Sequence, residues 1–219
     1  SDAIANFTVG KHNSTTSAII ANITYGENAT IQVNVTGIDN EGLNGTVNIT
    51  VNNQTHTVDL INGVGSLVVP GLNAGNYTAQ IKYIGNNNYA DSNTTAKFNV
   101  RKHNSTTSAT IANITYGVNA TVNIIVNGIN STDLSGNVTV TINGIGSWNG
   151  NVSSTGIGNV NLEILPVGNY TVEVKYYGNN NYIESNTTAP LQISKANSTV
   201  VSTIANITYG ENATVQVNV

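Results

Sequence analysis

Hydrophobic and polar residues alternate along most of the chain with a period of two. In the stretch ATIQVNV every second position is apolar: Ala29, Ile31, Val33 and Val35. Successive side chains of a β-strand point to opposite faces, so this stretch predicts a strand with one face in a core and the other in solvent. The stretches TVNITV, YTAQIKY and TTAKFNV alternate in the same way, and no stretch has helical periodicity. The pattern therefore predicts an all-β fold.

The sequence repeats itself with a period of about ninety residues. KHNSTTSA begins at Lys11 and again at Lys102, and a looser copy, KANSTVVS, begins at Lys195, so the spacings are 91 and 93 residues. The motif ITYG occurs three times with the same two spacings. The second unit therefore carries two extra residues, which fall in its middle. Units of this size are whole domains rather than short repeats that must stack to share a core.

The repeat divides the chain into four segments. Residues 11–101 and 102–194 are complete units, residues 1–10 align with the last strand of a unit, and residues 195–219 align with the opening strands of another. A section of a longer tandem array explains these ends most simply, and the lack of an initiator methionine and of a signal peptide indicates an internal or processed segment. Exchange of strands between neighbouring chains is the alternative, although the two ends together lack the middle strands of a unit.

Each unit contains about seven short strands at roughly 8 to 12 residue spacing, which is typical of an immunoglobulin-like β-sandwich. Asn62-Gly63 between two apolar runs predicts a hairpin, and GIGNVNLEIL predicts its counterpart in the second unit. The segments LNAGNY and LPVGNY have the L-x-x-G-x-Y pattern of a tyrosine corner, in which the last residue, Tyr77 or Tyr170, bonds back to the preceding turn. These signals predict tandem Ig-like sandwiches.

One long segment is copied almost letter for letter between the units. Residues 75–95 read GNYTAQIKYIGNNNYADSNTT and residues 168–188 read GNYTVEVKYYGNNNYIESNTT. Its shared residues are tyrosines, glycines and asparagines, without a nucleophile, a base or a metal-binding cluster. We expect a structural signature rather than a duplicated active site, with Gly85 to Asn88 as the turn between the last two strands and Tyr89 packed beneath that turn.

These motifs resemble those of bacterial Ig-like repeats. TYGENATIQVNV, GTVNITV and GLNAGNYTAQIKYIGNNNY match the family pattern of a YG turn, a GxVT strand and L-x-x-G-x-Y followed by Y-x-G-[DN]-x-N-Y, and the likeness runs through essentially the whole chain. The Asn- and Ile-rich version with NST at each junction is similar to the adhesin-like surface proteins of methanogenic archaea. The resemblance implies an extracellular, multi-domain stalk or adhesin, and it does not identify a ligand.

The amino-acid composition narrows the range of expected binding partners. The chain is 39% hydrophobic and only 8% charged, with a net charge of −4, which gives no electrostatic reason to expect nucleic acid or an anionic membrane as a partner. There is no cysteine, so disulfides and thiol chemistry are excluded, and no apolar run is long enough to predict membrane insertion in this segment.

Asparagine-linked glycosylation is the most abundant candidate modification. The triplet N-x-[ST] occurs about twenty times and is an acceptor pattern in exported proteins. Alternation alone also places polar residues two apart on the outer face of a strand, so part of this abundance follows from the fold. The candidate acceptors are Asn13, Asn28, Asn93, Asn104, Asn119, Asn186 and Asn197.

Metal and ligand sites are weakly indicated. His12 and His103 stand one unit apart, but Ala196 replaces them at the third junction. The acidic residues of Asp39–Glu41, with Asp91 and Glu184 elsewhere, could contribute to Ca²⁺ binding, yet nothing gathers the six to eight oxygens that calcium takes. We therefore predict no catalytic residue, no metal site and no cofactor.

Trp148 is the one residue that suggests a ligand contact. It is the only tryptophan and has no evident counterpart in the first unit. On an exposed loop it would stack on a sugar, whereas packed on the end of its own sandwich it would be structural. Catalysis is not expected, because no Ser-His-acid or paired-carboxylate arrangement recurs in both units and His56 stands alone in a predicted strand.

Taken together, these patterns predict spacer repeats of an extracellular, cell-surface adhesin-like protein rather than an enzyme. The expected partners are neighbouring Ig-like repeats of the same chain. Two alternatives remain open: a subunit of a self-assembling filament or sheath made of like chains, and a glycan-binding adhesion module that uses a loop such as the one bearing Trp148.

Overall fold

The computed structural model describes residues 4–219 as an all-β protein. Two 3₁₀ turns, η1 (Ile38–Asn40) and η2 (Ile129–Ser131), are the helical elements in this range. The strands are β1 (Thr15–Ile20), β2 (Ile23–Thr24), β3 (Ala29–Thr36), β4 (Gly45–Val51), β5 (Gln54–Leu60), β6 (Val64–Val69), β7 (Gly75–Tyr83), β8 (Ser92–Arg101), β9 (Thr106–Ile111), β10 (Ile114–Thr115), β11 (Ala120–Asn127), β12 (Gly136–Ile142), β13 (Gly146–Val152), β14 (Ile157–Leu162), β15 (Gly168–Tyr176), β16 (Ser185–Ser194), β17 (Val201–Ile204) and β18 (Val215–Asn218).

The first eight strands form two sheets. One has the order β1-β3-β6 and the other the order β2-β8-β7-β4-β5. The short strand β2 runs parallel to β8, and the remaining pairs of these two sheets are antiparallel. Side chains of both inner faces form one core cluster that includes Ile31, Val33, Ile49, Ile81 and Tyr83. Burial of each such side chain contributes about 1.5 to 3 kcal/mol, so this cluster is the main source of stability.

The strand faces predicted from the alternation are confirmed. Along β3 the residues alternate between buried and exposed from Ala29 to Val35, with the apolar residues inside. Along β7 the inward residues are Ala79, Ile81 and Tyr83, and Lys82 is exposed. Polar residues therefore cover the outer face of the sheet, and side-chain hydrogen bonds between neighbouring strands take the place of surface charges there.

The next eight strands repeat the same design. Their sheets have the orders β14-β11-β9 and β10-β16-β15-β12-β13. The registers correspond residue by residue: Ala29 pairs with Val69 in the first sandwich, and Ala120 pairs with Leu162 in the second. The predicted tandem immunoglobulin-like sandwiches are thus the observed fold.

The two extra residues of the second unit lie in two different turns. The β4–β5 turn has two residues, Asn52 and Asn53, whereas the β12–β13 turn spans residues 143–145. The β5–β6 connection spans residues 61–63, whereas the β13–β14 connection spans residues 153–156. Each insertion lengthens a surface turn by one residue, so the strand registers of the core are unchanged.

The predicted hairpin at Asn62-Gly63 is correct for the turn but wrong for the strands. Both residues have positive φ, 50° and 80°, as a two-residue hairpin turn of this kind requires, and Ile61 and Val64 exchange two backbone hydrogen bonds of 3.1 Å. Beyond that pair β5 joins the five-stranded sheet and β6 the three-stranded sheet. The turn therefore moves the chain between sheets, because each flanking apolar run finds its partners in a different layer.

The two compact units of the structure do not coincide with the two repeats of the sequence. The first compact unit consists of residues 1–105 together with the loops 127–134 and 177–185, and the second consists of residues 106–126, 135–176 and 186–219. These two loops follow the third and seventh strands of the second repeat. The boundary at 101/102 marks the repeat in the sequence, whereas the compact units follow the packing.

The partial repeats at the ends differ in structure. The predicted terminal strand over residues 1–10 begins in residues 1–3, which lie outside the described residues, and residues 4–10 are exposed and form no strand. In a complete unit the last strand is held by its seventh strand, as β8 is by β7, and residues 4–10 have no such pairing. At the other end β17 and β18 pair antiparallel, with Ile204 opposite Val215 in the register that Ile20 and Ile31 have in the first sandwich.

Candidate functional site

The copied segment contains a turn that an asparagine side chain organises. Asn86 Oδ1 accepts the backbone N–H groups of Asn88 and Tyr89, both at 2.9 Å. The preceding Gly85 has a φ of 83°, and a Cβ there would lie 2.8 Å from the carbonyl oxygen of Tyr89. The sequence GNNNY is therefore a structural unit, since the glycine supplies the backbone conformation and the first asparagine satisfies two donors.

The second repeat has the same turn with the same bonds. Asn179 Oδ1 accepts the N–H groups of Asn181 and Tyr182 at 2.8 and 3.0 Å. Gly178 has a φ of 72°, and a Cβ there would lie 2.5 Å from the carbonyl oxygen of Tyr182. The residues shared by the two copies thus bond to their own backbone in both places.

The tyrosine that ends each turn packs against a glycine of the loop after the third strand. A Cβ on Gly37 would lie 2.4 Å from Cε1 of Tyr89, and a Cβ on Gly128 would lie 2.3 Å from Cε1 of Tyr182. Tyr182 is fully buried, and its single hydroxyl proton is shared between the carbonyl oxygens of Ile129 at 2.8 Å and Thr132 at 3.2 Å. Each ring therefore joins the turn that carries it to the loop after the third strand.

The histidine segment at the start of each repeat is tied to this turn through its backbone. The His12 N–H donates to the carbonyl of Asn88 at 2.8 Å, and its carbonyl accepts the N–H of Ala90 at 2.8 Å. His103 makes the same two bonds with Asn181 and Ile183 at 2.9 Å. These bonds do not depend on the side chain, which explains how the third junction can carry alanine instead of histidine.

A cluster of polar groups lies within the first compact unit. The Tyr25 hydroxyl donates to Asp133 Oδ2 at 2.8 Å, and its ring meets that of Tyr182 edge-on at 5.5 Å between centroids. Asn181, which is buried, accepts the N–H of Ala74 at 3.0 Å and donates its side-chain N–H to Asn73 Oδ1 at 3.1 Å. Sequence reasoning missed this cluster, because the residues are far apart in the chain and no short motif joins them.

Burial and a carboxylate raise the pKa of the Tyr25 hydroxyl. Burial raises the pKa of Tyr25 to about 12, with the hydrogen bond from its hydroxyl to Asp133 and the negative charge of Asp133 acting in the same direction. Burial also raises the pKa of Tyr83 and Tyr182. At physiological pH these hydroxyls are hydrogen-bond donors, so the cluster is a set of fixed polar contacts.

Two concavities of the first compact unit are lined mainly by polar groups. One, of about 360 Å³, lies beside the polar cluster, and its lining residues are Tyr25, Gly26, Gly71, Leu72, Asn73, Ile129, Asn130, Thr132 and Asp133. The other, of about 400 Å³, is a groove on the outer face of the five-stranded sheet, and its lining residues are Asn48, Thr50, Thr55, Gln80, Ile81, Lys82, Asn93, Thr94 and Thr95. In this groove Thr50 and Thr55 bond to each other at 2.8 Å, and Lys82 pairs with Asp91 at 3.5 Å. These contacts join neighbouring segments of the sheet across the groove.

Both residues of the predicted tyrosine corners bond back to the preceding turn. The Tyr77 hydroxyl donates to the carbonyl of Asn73 at 2.9 Å, and the Tyr170 hydroxyl donates to the carbonyl of Pro166 at 2.8 Å. The Tyr77 ring also stacks on Phe98 at 5.4 Å between centroids. The start of the seventh strand is thereby fixed to the turn before it in both sandwiches.

Trp148 lies in a strand and not on a loop. It belongs to β13, pairs with Val140 and is half-buried on the core-facing side of the strand. The corresponding position of the first sandwich is occupied by His56, which pairs with Ile49 and has a buried Nε2 atom that finds no hydrogen-bond partner among the described residues. The first unit therefore does have a counterpart of Trp148, and this location favours a packing role over sugar stacking.

The candidate glycosylation residues are all exposed. The side chains concerned are those of Asn13, Asn28, Asn93, Asn104, Asn119, Asn186 and Asn197. Two other asparagines in N-x-T triplets make structural hydrogen bonds, since Asn22 Oδ1 accepts the N–H of Asn99 at 2.8 Å and Asn113 Oδ1 accepts the N–H of Gln192 at 2.8 Å. Asn22 and Asn113 are exposed as well, and they differ from the first group because their side-chain oxygens are bonded to the last strand of their own sandwich.

The residues considered for metal binding are dispersed. Within residues 4–219, no three His, Asp or Glu side chains are grouped so as to hold a metal ion. The Tyr89 hydroxyl donates to Glu41 at 3.5 Å, which is a long hydrogen bond. In the same range no helix has the length and the apolar character that crossing a bilayer requires.

Comparison with known proteins agrees with the fold. Residues 7–101 match the family model of the bacterial Ig-like domain (group 3), and the match ends at Arg101, where the sequence repeat places the end of the first unit. No curated protein sequence matches the chain.

Solved structures with detectable similarity include an adhesin and an integrin-binding protein of bacteria. Invasin, a bacterial integrin-binding protein, is 17% identical with a TM-score of 0.54, and the match covers 88% of this chain and 42% of that one. The Yersinia pseudotuberculosis adhesin InvE is 16% identical with a TM-score of 0.46, over 81% of this chain and 58% of that one. A two-domain fibronectin type III segment of chicken tenascin is 14% identical with a TM-score of 0.47, over 80% and 97%. The chain thus spans less than two thirds of the two bacterial proteins, shares the fold of invasin, and over residues 7–101 is similar to bacterial Ig-like domains of group 3.

Proposed function

We propose that this chain is a run of spacer repeats in an extracellular, cell-surface adhesin-like protein, and that its role is to hold another domain away from the cell. This proposal rests on the hydrogen bonds that the repeated residues make. The polar side-chain atoms of these residues bond to nearby backbone groups at the same places in both units. The side chains of Asn86 and Asn179 accept backbone N–H groups, and the hydroxyls of Tyr77 and Tyr170 donate to backbone carbonyls. The two units share residues that stabilise the fold and do not share a reactive group, which fits a structural role.

The comparisons support the bacterial adhesin-like character of the proposal. The first unit matches a bacterial Ig-like domain, and invasin, which has the same fold, is a bacterial integrin-binding protein. Affiliation with the adhesin-like proteins of methanogenic archaea is part of the proposal and rests on the Asn-rich sequence with NST at each junction. The chain has few charges, and its Asn and Thr side chains point outward. In such a rod a hydrated coat on these uncharged polar faces would limit association between β-rich units.

Location and chain length provide the direct test. Antibodies against residues 102–194 are expected to label intact cells of the source organism, and native material is expected to have a mass far above that of this 219-residue chain. Labelling only after the cells are broken would refute a surface role. A native chain of about this mass, found as a polymer, would favour the filament alternative over the spacer.

Glycosylation is a second, separable part of the proposal. The exposed acceptors, for example Asn93 and Asn186, are expected to carry glycan in native material. Asn22 and Asn113 provide matched controls within the same chain, because their side-chain oxygens accept backbone N–H groups. Peptide mass spectrometry is expected to find higher occupancy in the first pair than in the second. Equal occupancy would show that the hydrogen bond to the side-chain oxygen does not select the sites, and unmodified peptides throughout would refute glycosylation.

A further inference from the structure

The second compact unit carries an exposed apolar patch at one end. Four side chains, those of Tyr116, Val118, Ile164 and Val167, are each between 44% and 56% exposed. We call these four residues the tail patch. In a chain with few charges, such a group of neighbouring apolar side chains at the end of a sandwich is a candidate contact surface.

Strand pairing places the members of the patch at one end of the second sandwich. Ala120 of β11 pairs with Leu162 of β14, so Val118 and Ile164, each two residues beyond these paired ends, lie at the same end of the sheet. The Tyr116 N–H donates to the carbonyl of Ser194 at 2.9 Å, which fixes Tyr116 beside the end of β16. The patch is thus a built feature of the fold.

In the first repeat the position of Tyr116 is covered, whereas Glu27 and Gly71, the counterparts of Val118 and Ile164, are exposed. Tyr25 and Gly26 correspond to Tyr116 and Gly117 in the repeat. The Tyr25 ring meets that of Tyr182, and a Cβ on Gly26 would lie 2.8 Å from Cδ1 of Ile129. The covering residues belong to the loops 127–134 and 177–185, which are part of the first compact unit.

The first repeat has its own copies of these two loops, and they are uncovered. We call residues 37–44 and 84–91 the head turns. Ile38, the counterpart of Ile129, is 45% exposed, and Asn88 is exposed where its counterpart Asn181 is only 8% exposed. One chain therefore shows this pair of surfaces in contact once, and shows each surface once without its partner.

We propose that the tail patch is a docking surface for the head turns of another Ig-like repeat, which in a solution of this chain is the first repeat of a second copy. The two surfaces differ in sequence from the pair that is in contact within the chain. The head turns of the first repeat have Gly42 where the second repeat has Asp133, so they lack the carboxylate that receives the Tyr25 hydroxyl. The tail patch in turn has Val118 and Ile164 in place of Glu27 and Gly71. The exposed Ile38 of the head turns offers the tail patch an apolar side chain, and burial of apolar side chains would take the place of the Tyr25–Asp133 bond. The same turns also carry the exposed carboxylates of Asp39, Glu41 and Asp91.

This inference rests on the proposed tandem arrangement and not on a location at the cell surface. A heterologous contact of this kind extends an array in one direction when the rotation between copies does not close a ring. Contact between purified chains in solution does not depend on where the protein resides, so the two proposals fail independently.

The chain contains no cysteine, so disulfide trapping can test the contact without background. Glu163→Cys introduces a thiol at the border of the tail patch, and Asp39→Cys introduces one at the border of the head turns. Full-length chains carrying one thiol each are mixed under mild oxidation. The matched control pairs Asp39→Cys with Asn159→Cys, which is exposed on β14, the strand that leads to the patch, but lies away from the patch.

The expected result is a mixed disulfide that forms several-fold faster for Glu163→Cys than for Asn159→Cys. Adding Tyr116→Ser to the Glu163→Cys chain is expected to bring the rate down to that of the control. Adding Ile157→Ser, which removes a comparably exposed apolar side chain of β14, is expected to leave the rate unchanged. Equal rates for the two cysteine positions, or the same loss with either serine substitution, would overturn the proposal.

Discussion

Substitution of Gly128 by alanine tests the packing of a buried tyrosine against the loop after the third strand. A Cβ at this position would lie 2.3 Å from Cε1 and 2.7 Å from Cζ of Tyr182, well inside contact distance. The φ of Gly128 is −149°, an extended conformation that alanine adopts without strain, so the cost is steric. Tyr182 cannot swing aside easily, because it is fully buried and its hydroxyl proton is shared between two backbone carbonyl oxygens.

The first repeat offers the same substitution in a looser setting. A Cβ on Gly37 would lie 2.4 Å from Tyr89, but that ring is only half-buried and its hydroxyl makes a long bond of 3.5 Å. Overpacking costs about 1 to 3 kcal/mol, and disturbing the hydrogen bonds of the hydroxyl adds about 1 kcal/mol. We therefore expect Gly128→Ala to lower the free energy of unfolding by about 2 to 4 kcal/mol and Gly37→Ala by about 1 kcal/mol, because Tyr89 can move outward.

Calorimetry of the full chain measures both effects. A loss of about 1 kcal/mol lowers the Tm of a domain of this size by about 4 to 8 °C, so the two variants are readily distinguished. Gly10→Ala is the control, since nothing lies within 4 Å of a Cβ at that position. A double variant with Tyr182→Leu is expected to lose less than the sum of its single variants, because the smaller side chain relieves the clash. A Gly128→Ala chain as stable as the Gly10→Ala control would refute this reasoning, as would a larger loss for Gly37→Ala.

Three further predictions concern side-chain hydrogen bonds. Tyr77→Phe and Tyr170→Phe each remove a corner bond of 2.9 or 2.8 Å, and each is expected to cost about 1 kcal/mol in urea unfolding; no change in the midpoint would show that the bond contributes nothing. Asn86→Ala removes the acceptor of two backbone N–H groups and is expected to speed amide hydrogen exchange in its own turn, with protection elsewhere in the first unit retained. Because Tyr25 has a folded pKa of about 12 against an ordinary value of 10.0, its contribution to stability is fully present below pH 10 and is lost as the pH rises towards 12. Asp133→Asn is expected to lower the pKa of Tyr25, measured by NMR of labelled tyrosine, but to leave it above 10.0 because burial remains; an unchanged pKa would refute the role of the carboxylate.

Most of the fold could be predicted from local sequence patterns, because the features concerned depend on residues that are close together in the chain. Period-two alternation set the buried face of β3, and the ninety-residue repeat indicated two equivalent sandwiches. The L-x-x-G-x-Y pattern pointed to Tyr77 and Tyr170 for the same reason, because a corner bond spans only four residues. Such features follow from backbone geometry and from the burial of every second side chain. Both of these causes leave a pattern in neighbouring residues of the sequence.

Only the tertiary structure decided which distant residues meet. It separated β5 and β6 into different sheets although a hairpin turn joins them, because each strand buries its apolar face in a different layer. It placed Trp148 and His56 at one position of the two sandwiches, since turns of unequal length had hidden their equivalence. The contact of Tyr25 with Asp133 joins residues 108 positions apart. A contact of that kind depends on how whole loops pack, and no periodicity along the chain encodes it.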